Sequence, residues 1–268
     1  MSQNYRVVFV FLFLVIAFSG CKLDNLNDPI IVPLIDKEFS FDLWQTLGEN
    51  TISNLELQMY TIENEDCLNT KILSNYNRTG RNISLTLYDI LDPEVCDPGS
   101  APATGIQSVT DASPDGYTLT IELQDVVSNG GTLTITDEAY QVVMDEENGI
   151  SWLHTELRRI PEDALWGYLV YTNPEEESRI ASFVNEINNL GSDLPLTAGY
   201  YGYFSVTDTG DITEIKDAPA TSDLATITVK YAGETAQIDE KIITFLGTPG
   251  NESIELVLLD SNGNEWRN

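Results

Sequence analysis

Apolar and polar residues alternate along much of this chain, and a period of two is the signature of strands that bury one face. Glu38-Phe39-Ser40-Phe41-Asp42-Leu43 and Asn54-Leu55-Glu56-Leu57-Gln58-Met59 are the first two such segments. Ile83-Ser84-Leu85-Thr86-Leu87 follows, and Tyr117 to Leu123 is the most regular. Asn129-Gly130-Gly131 is expected to turn that last strand into Thr132 to Thr136, because Asn-Gly pairs supply the backbone angles of a tight hairpin. Ala139 to Met144 and Ile150 to Leu157 are expected to pair across Glu146-Glu147-Asn148-Gly149, and Ala164 to Tyr171 adds a more apolar strand. Glu63 to Cys67 reads as a polar loop. Asp92 to Gly116, with Pro93, Pro98, Pro102 and Pro114, reads as a long turn-rich one.

The period changes once. Asn173 can cap a helix, Pro174 suits its first position, and Glu175, Glu176 and Glu177 place negative charge at the positive end of its dipole. Ile180, Phe183, Val184, Ile187 and Leu190 then recur on one face until Gly191. Strands are expected again at Gly199 to Val206, Ala225 to Tyr231, Lys241 to Leu246 and Ser253 to Leu259. The fold class is therefore mainly β: an antiparallel β-sandwich-like domain over 37–172, followed over 173–268 by a smaller antiparallel sheet with one covering helix.

The start of the chain follows a different rule. Arg6 precedes 12 unbroken apolar residues, Val7 to Phe18, and then Ser19-Gly20-Cys21. A bilayer core needs roughly 20 helical residues, so this run has the length of a signal-peptide core. Its small-small-Cys ending resembles the lipobox of bacterial lipoproteins of the Bacteroidota type, with Phe18 where that motif usually has Leu. The resemblance implies that residues 1–20 are removed and that Cys21 is acylated. It also implies that residues 21–36, rich in Asn, Asp and Pro, tether the domain to a membrane. Lys22-Leu23-Asp24 is similar to part of the signal that sends such proteins to the outer face. The expected location is the outer membrane, on its periplasmic or surface-exposed side.

Three consequences follow. With Cys21 claimed by lipid, Cys67 and Cys96 remain as a pair in an oxidising compartment, where a disulfide is expected over two separate buried thiols. Removing residues 1–20 takes Arg6 from the 13 basic residues and leaves all 43 acidic ones, so the net charge moves from −30 to −31. So negative a surface repels phosphate backbones, and nucleic acid is excluded as a partner.

Motifs for chemistry are sparse. His154 is the single histidine and reads as an ordinary strand residue, since Gly149-Ile150-Ser151-Trp152-Leu153 lacks the final glycine of a nucleophile elbow. No Gly-x-x-x-x-Gly-Lys or Gly-x-Gly-x-x-Gly occurs, and no cofactor or metal is expected. The Asp208 to Asp211 and Asp260 to Asn264 stretches offer oxygen ligands that suit calcium, yet they fit hairpin turns more economically. Trp166 and Tyr168, with Tyr201 and Tyr203, are the candidate binding aromatics; core packing is the competing account of the same residues. The expected activity is a binding or structural role at the outer membrane or cell surface, through glycan or protein contact. A hydrolase using paired carboxylates and a subunit of a surface uptake or adhesion assembly are the alternatives.

Overall fold

The computed structural model describes residues 38–48, 55–110, 112–124, 126–220 and 223–268. Signal segment 1–20, Cys21 and tether 21–36 lie outside the described residues.

The first ten strands are β1 (Phe39–Gln45), β2 (Leu55–Cys67), β3 (Lys71–Thr79), β4 (Asn82–Leu91), β5 (Pro98–Ser108), β6 (Asp115–Leu123), β7 (Val127–Ile135), β8 (Ala139–Met144), β9 (Ile150–Trp152) and β10 (Glu156–Arg158). They form one curled sheet in the order β10-β8-β7-β6-β4-β3-β5-β2-β1-β9. Most pairs are antiparallel, while β1–β9, β4–β6 and β3–β5 run parallel. The alternation works as the sequence predicts. Phe41, Leu43, Leu57, Met59, Leu85, Leu119, Ile121 and Leu133 all turn into a single buried cluster. A curled sheet lets inward side chains from distant strands meet, so the sheet acts as its own second layer.

The segment 150–158 joins the two margins of this sheet. Its first residues pair with β1 and its last with β8. Between them the Leu153 N–H donates to the Phe41 carbonyl at 2.8 Å, and the Thr155 carbonyl accepts from the Val142 N–H at 2.8 Å. His154 is the residue at which the chain passes from one partner to the other.

Next in order are β11 (Ala164–Val170), the short β12 (Gly199–Tyr200), β13 (Ser205–Val206) and β14 (Ile212–Thr213), then β15 (Leu224–Lys230), β16 (Glu255–Asp260) and β17 (Glu265–Arg267). β11 lies between β15 and β16, and β17 completes an antiparallel four-stranded sheet. Two helices, α1 (Glu177–Asn188) and α2 (Thr235–Leu246), pack Ile180, Phe183, Ile187, Ile238, Ile242 and Phe245 against Leu165, Leu169, Ile227 and Leu256. The three-stranded sheet β12-β13-β14 brings Tyr201, Phe204 and Val206 against Ala164 and Trp166. Covered from both sides, β11 reads as an uninterrupted apolar run.

The helix expected after Asn173 is present. Asn173 and Glu176 form a capping box around the short 3₁₀ turn Pro174–Glu176, which runs into α1. Glu176 Oε2 accepts from the Thr172 and Asn173 N–H groups at 3.3 and 3.2 Å, and Oε1 accepts from the Ser253 hydroxyl. These bonds, the Ser253 one first, hold the Glu176 carboxyl below its usual range against the opposing effect of desolvation.

Four local expectations are corrected. Lys241 to Leu246 is helical, because Ile238, Ile242 and Phe245 recur every three to four residues and outweigh the strand preference of Ile242-Ile243-Thr244. The helix covering the second sheet is thus one of two. The Glu63 to Cys67 loop is the end of β2, and β5 lies inside the proline-rich stretch 92–116. Asn129-Gly130-Gly131 is strand, the turn of that hairpin lying between Leu123 and Val127. A Cβ on Gly131 would stand 2.6 Å from the Val143 carbonyl, so this glycine permits the close approach of β8. The buried Asn129 exchanges hydrogen bonds of 2.9 and 2.8 Å with the Asn148 backbone.

Candidate functional site

Strand alternation sends Phe41, Leu43 and Gln45 one way from β1 and Ser40, Asp42 and Trp44 the other. On that second face Asp42 is opposite Gln58 and Trp44 is opposite Glu56. The turn between β12 and β13 covers this patch, and His154 reaches it from the crossing segment. Asp42 Oδ1 lies 3.0 Å from His154 Nδ1, and Oδ2 accepts from the Tyr200 hydroxyl at 3.2 Å. The His154 and Tyr200 rings stack with centroids 3.6 Å apart and planes 14° apart. The Leu43 N–H also donates to Oδ1 at 2.9 Å.

The site is asymmetric in exposure. The Asp42 side chain is 9% exposed and that of His154 is 42% exposed. Burial pushes the Asp42 carboxyl above its usual range, with the His154 imidazole the first of the groups that oppose the shift. Burial also pushes the Tyr200 phenol up, and the Asp42 carboxylate adds to it. Tyr60 on β2 is raised by the same two causes in the same order. An ionised Asp42 only accepts, so in this hydrogen bond the Nδ1–H of His154 is the donor. Among the described residues no hydroxyl or thiol is hydrogen-bonded to Nε2 in the manner of a triad nucleophile.

An aromatic layer adjoins it. Trp44 meets Tyr203 at 4.5 Å, and the Lys216 ammonium sits 4.5 Å from the Trp44 ring. Gly202 adopts φ +81°, and a Cβ there would come within 3.2 Å of the Trp44 ring. The glycine leaves room for the Trp44 ring.

Of the four candidate binding aromatics, Trp166, Tyr168 and Tyr201 are buried and Tyr203 is half-buried. Trp166 packs on Phe204 and Tyr203 at 5.5 and 5.7 Å, and the Tyr168 hydroxyl donates to the Asp217 carbonyl at 3.1 Å. Tyr201 stacks on Phe204 at 4.9 Å, and its hydroxyl donates to the Thr197 carbonyl at 2.9 Å. Tyr201 and Tyr203 do not share one strand face, because residues 201–204 form a turn closed by the Tyr201 N–H on the Phe204 carbonyl. The structure thus gathers Trp166, Tyr201, Tyr203 and Phe204 ring against ring, and buries Tyr168 separately.

Cys67 and Cys96 are bonded as a disulfide. In both Asp-rich turns a carboxylate is engaged locally: Asp260 accepts from the Asn262 and Asn264 N–H groups, and Asp211 accepts from the Thr209 hydroxyl. No cluster of three or more His, Cys, Asp or Glu side chains suited to a metal ion occurs among the described residues.

Sequence reasoning treated His154 as a lone strand residue, passed over Asp42 and Trp44, and saw Tyr200 only as one of a run of strand aromatics. Nothing local marks them, since Asp42 occupies a polar position of an alternating strand and its partners come from 112 and 158 residues away. No protein-family model, curated protein or solved structure matches this chain.

Proposed function

We propose that this protein is a lipid-anchored component of the cell envelope, held at the outer membrane through Cys21, with a binding or structural role exerted by glycan or protein contact. The observation that carries the reading is the Val7 to Phe18 apolar run ending in Ser19-Gly20-Cys21. The disulfide adds support: it occupies Cys67 and Cys96 and is the chemistry of an oxidising compartment. Acylation at one cysteine suffices for attachment when two or more chains are carried, since each buried CH₂ contributes about 0.8 kcal/mol.

The test is the distribution of the full-length chain between membrane and soluble fractions. Cys21→Ala should lose metabolic acyl labelling and leave the membrane fraction; unchanged labelling and fractionation would refute the anchor. Screening the detergent-solubilised protein against a glycan array and by protein pull-down then separates the two contact classes. A second reading, a subunit of a surface uptake or adhesion assembly, is favoured by apolar side chains left in solvent at one end of the large sheet.

A further inference from the structure

Some exposed apolar side chains stand apart, Ile106, Val143, Leu153 and Ile243 among them, but a group of others is clustered. Ile62, Leu68, Tyr88, Leu91, Val95 and Val126 are all exposed, and Val95 is 77% so. Register places them together. Phe39 pairs with Thr61, Cys67 with Pro98, Lys71 with Leu91 and Leu87 with Leu123, so one end of the ten-stranded sheet holds the last residues of β2, β4 and β6 and the first of β3, β5 and β7. The Ile62 N–H donates to the Glu38 carbonyl, so the described chain also begins at this end.

Two of these side chains are held in place firmly. The Cys67–Cys96 bond ties the loop bearing Leu68 to the loop bearing Val95. Asn69 spans the same gap, its Nδ2 donating to the Val95 carbonyl at 2.9 Å and its Oδ1 accepting from the Asp97 N–H at 3.0 Å. The Leu68 N–H donates to the Asp97 carbonyl at 2.9 Å. A covalent bond and three hydrogen bonds thus fix apolar groups in water, which is the preorganisation that lowers the entropy cost of binding.

The surroundings select the occupant. Glu63, Asp66, Asp89, Asp92, Glu94 and Asp97 are exposed around the apolar groups, and no ion pair joins them among the described residues. Among the described residues Lys71 is the nearby cation, and its ammonium donates to Thr104 Oγ1 at 3.1 Å. Such a rim is repelled by anionic headgroups, which disfavours a lipid surface. It is equally repelled by its own copy, which disfavours a symmetric dimer through this end. An apolar protein face ringed by Lys and Arg satisfies both the centre and the rim.

We infer that the disulfide-stapled end of the large sheet is a docking surface for a protein partner with an apolar contact face and a basic rim. The inference rests on the anchored reading only for the partner's location. There are 16 residues between Cys21 and Glu38, a reach of at most about 55 Å, so the partner stands in or beside the same membrane.

The test is photocrosslinking in intact cells with the full-length chain, a benzophenone amino acid replacing Val95 or, as control, Ile243 on α2, which is 72% exposed. The expected result is a discrete protein adduct from position 95 and none from position 243, with Lys or Arg flanking the crosslinked site of the partner. Adding Asp92→Lys and Glu94→Lys should reduce the adduct by tenfold or more. An adduct with lipid or with a second copy, equal adducts from both positions, or indifference to the charge reversal would overturn the inference. So would the absence of any adduct from position 95. Fractionation of the same cells reports the anchor separately: membrane-bound protein without the adduct rejects this surface alone, and soluble protein rejects the anchor.

Discussion

Asp42 and His154, 112 residues apart, meet at 3.0 Å where the segment 150–158 passes from β1 to β8. The contact ties a buried carboxylate to the point of closure, which makes stability depend on its titration. The folded Asp42 carboxyl has its pKa raised from 3.8, so the fold holds this proton more tightly than the unfolded chain does. That contribution is present below the unfolded value and is lost as pH rises through the folded one. In denaturant unfolding measured from pH 3 to 7, the stability of the wild type relative to Asp42→Asn should therefore fall as pH rises, then level off. A difference that grows with pH would mean that attraction to the imidazole outweighs desolvation.

Tyr200 holds the other oxygen of the same carboxylate. Tyr200→Phe keeps the ring that stacks on His154 and removes only the hydroxyl, leaving Asp42 Oδ2 without that donor. A lost hydrogen bond to a buried charged group costs about 1.5–3 kcal/mol. The urea midpoint should drop accordingly with an unchanged slope, and His154→Ala in the same background should cost less than it does alone.

Reduction of the disulfide should be felt mainly through the unfolded chain. Cys67 and Cys96 are separated by 29 positions, and closing a loop of that size contributes about 3–4 kcal/mol in the chain-entropy account. The Cys67→Ser, Cys96→Ser double variant should lose about that much in guanidinium unfolding. Hydrogen exchange should rise first at Leu68 and Asp97, whose backbones bond each other across the staple.

Gly202→Ala tests the seating of the β12–β13 turn over Trp44. The substitution forces a side chain into the left-handed region at φ +81° and toward a ring 3.2 Å away. Left-handed backbone costs an ordinary residue about 1–2 kcal/mol, and the crowding adds to it. The expected signature is a lower melting temperature together with a changed tryptophan emission.

Much of the mainly β architecture was legible because β2, β4 and β6 each bury one face and say so by alternation, as do the apolar residues of β1. The capped helix after Asn173 was legible for the same reason: its signals are local. β3 was missed because Lys71 to Thr79 carries few apolar residues, its place being set by pairing with β4. Asn129-Gly130-Gly131 misled because the same glycine that eases a turn also eases the approach of a neighbouring strand. The Asp42, His154 and Tyr200 cluster was invisible, since its members are ordinary where they stand and acquire meaning only when the sheet curls. The aromatics failed as a surface signal because hydrophobic rings on strands flanked by other layers are drawn inward.

Because β9 and β10 are three residues each of one continuous segment, the two ends of the strand order offer an incoming chain little backbone to extend. Long exposed margins are where β proteins add foreign strands and grow into aggregates, and short ones are a recognised defence. Closure at His154 therefore restricts how this molecule can associate. Strand-by-strand growth is hindered at those two margins, where partners must be chosen by side chains.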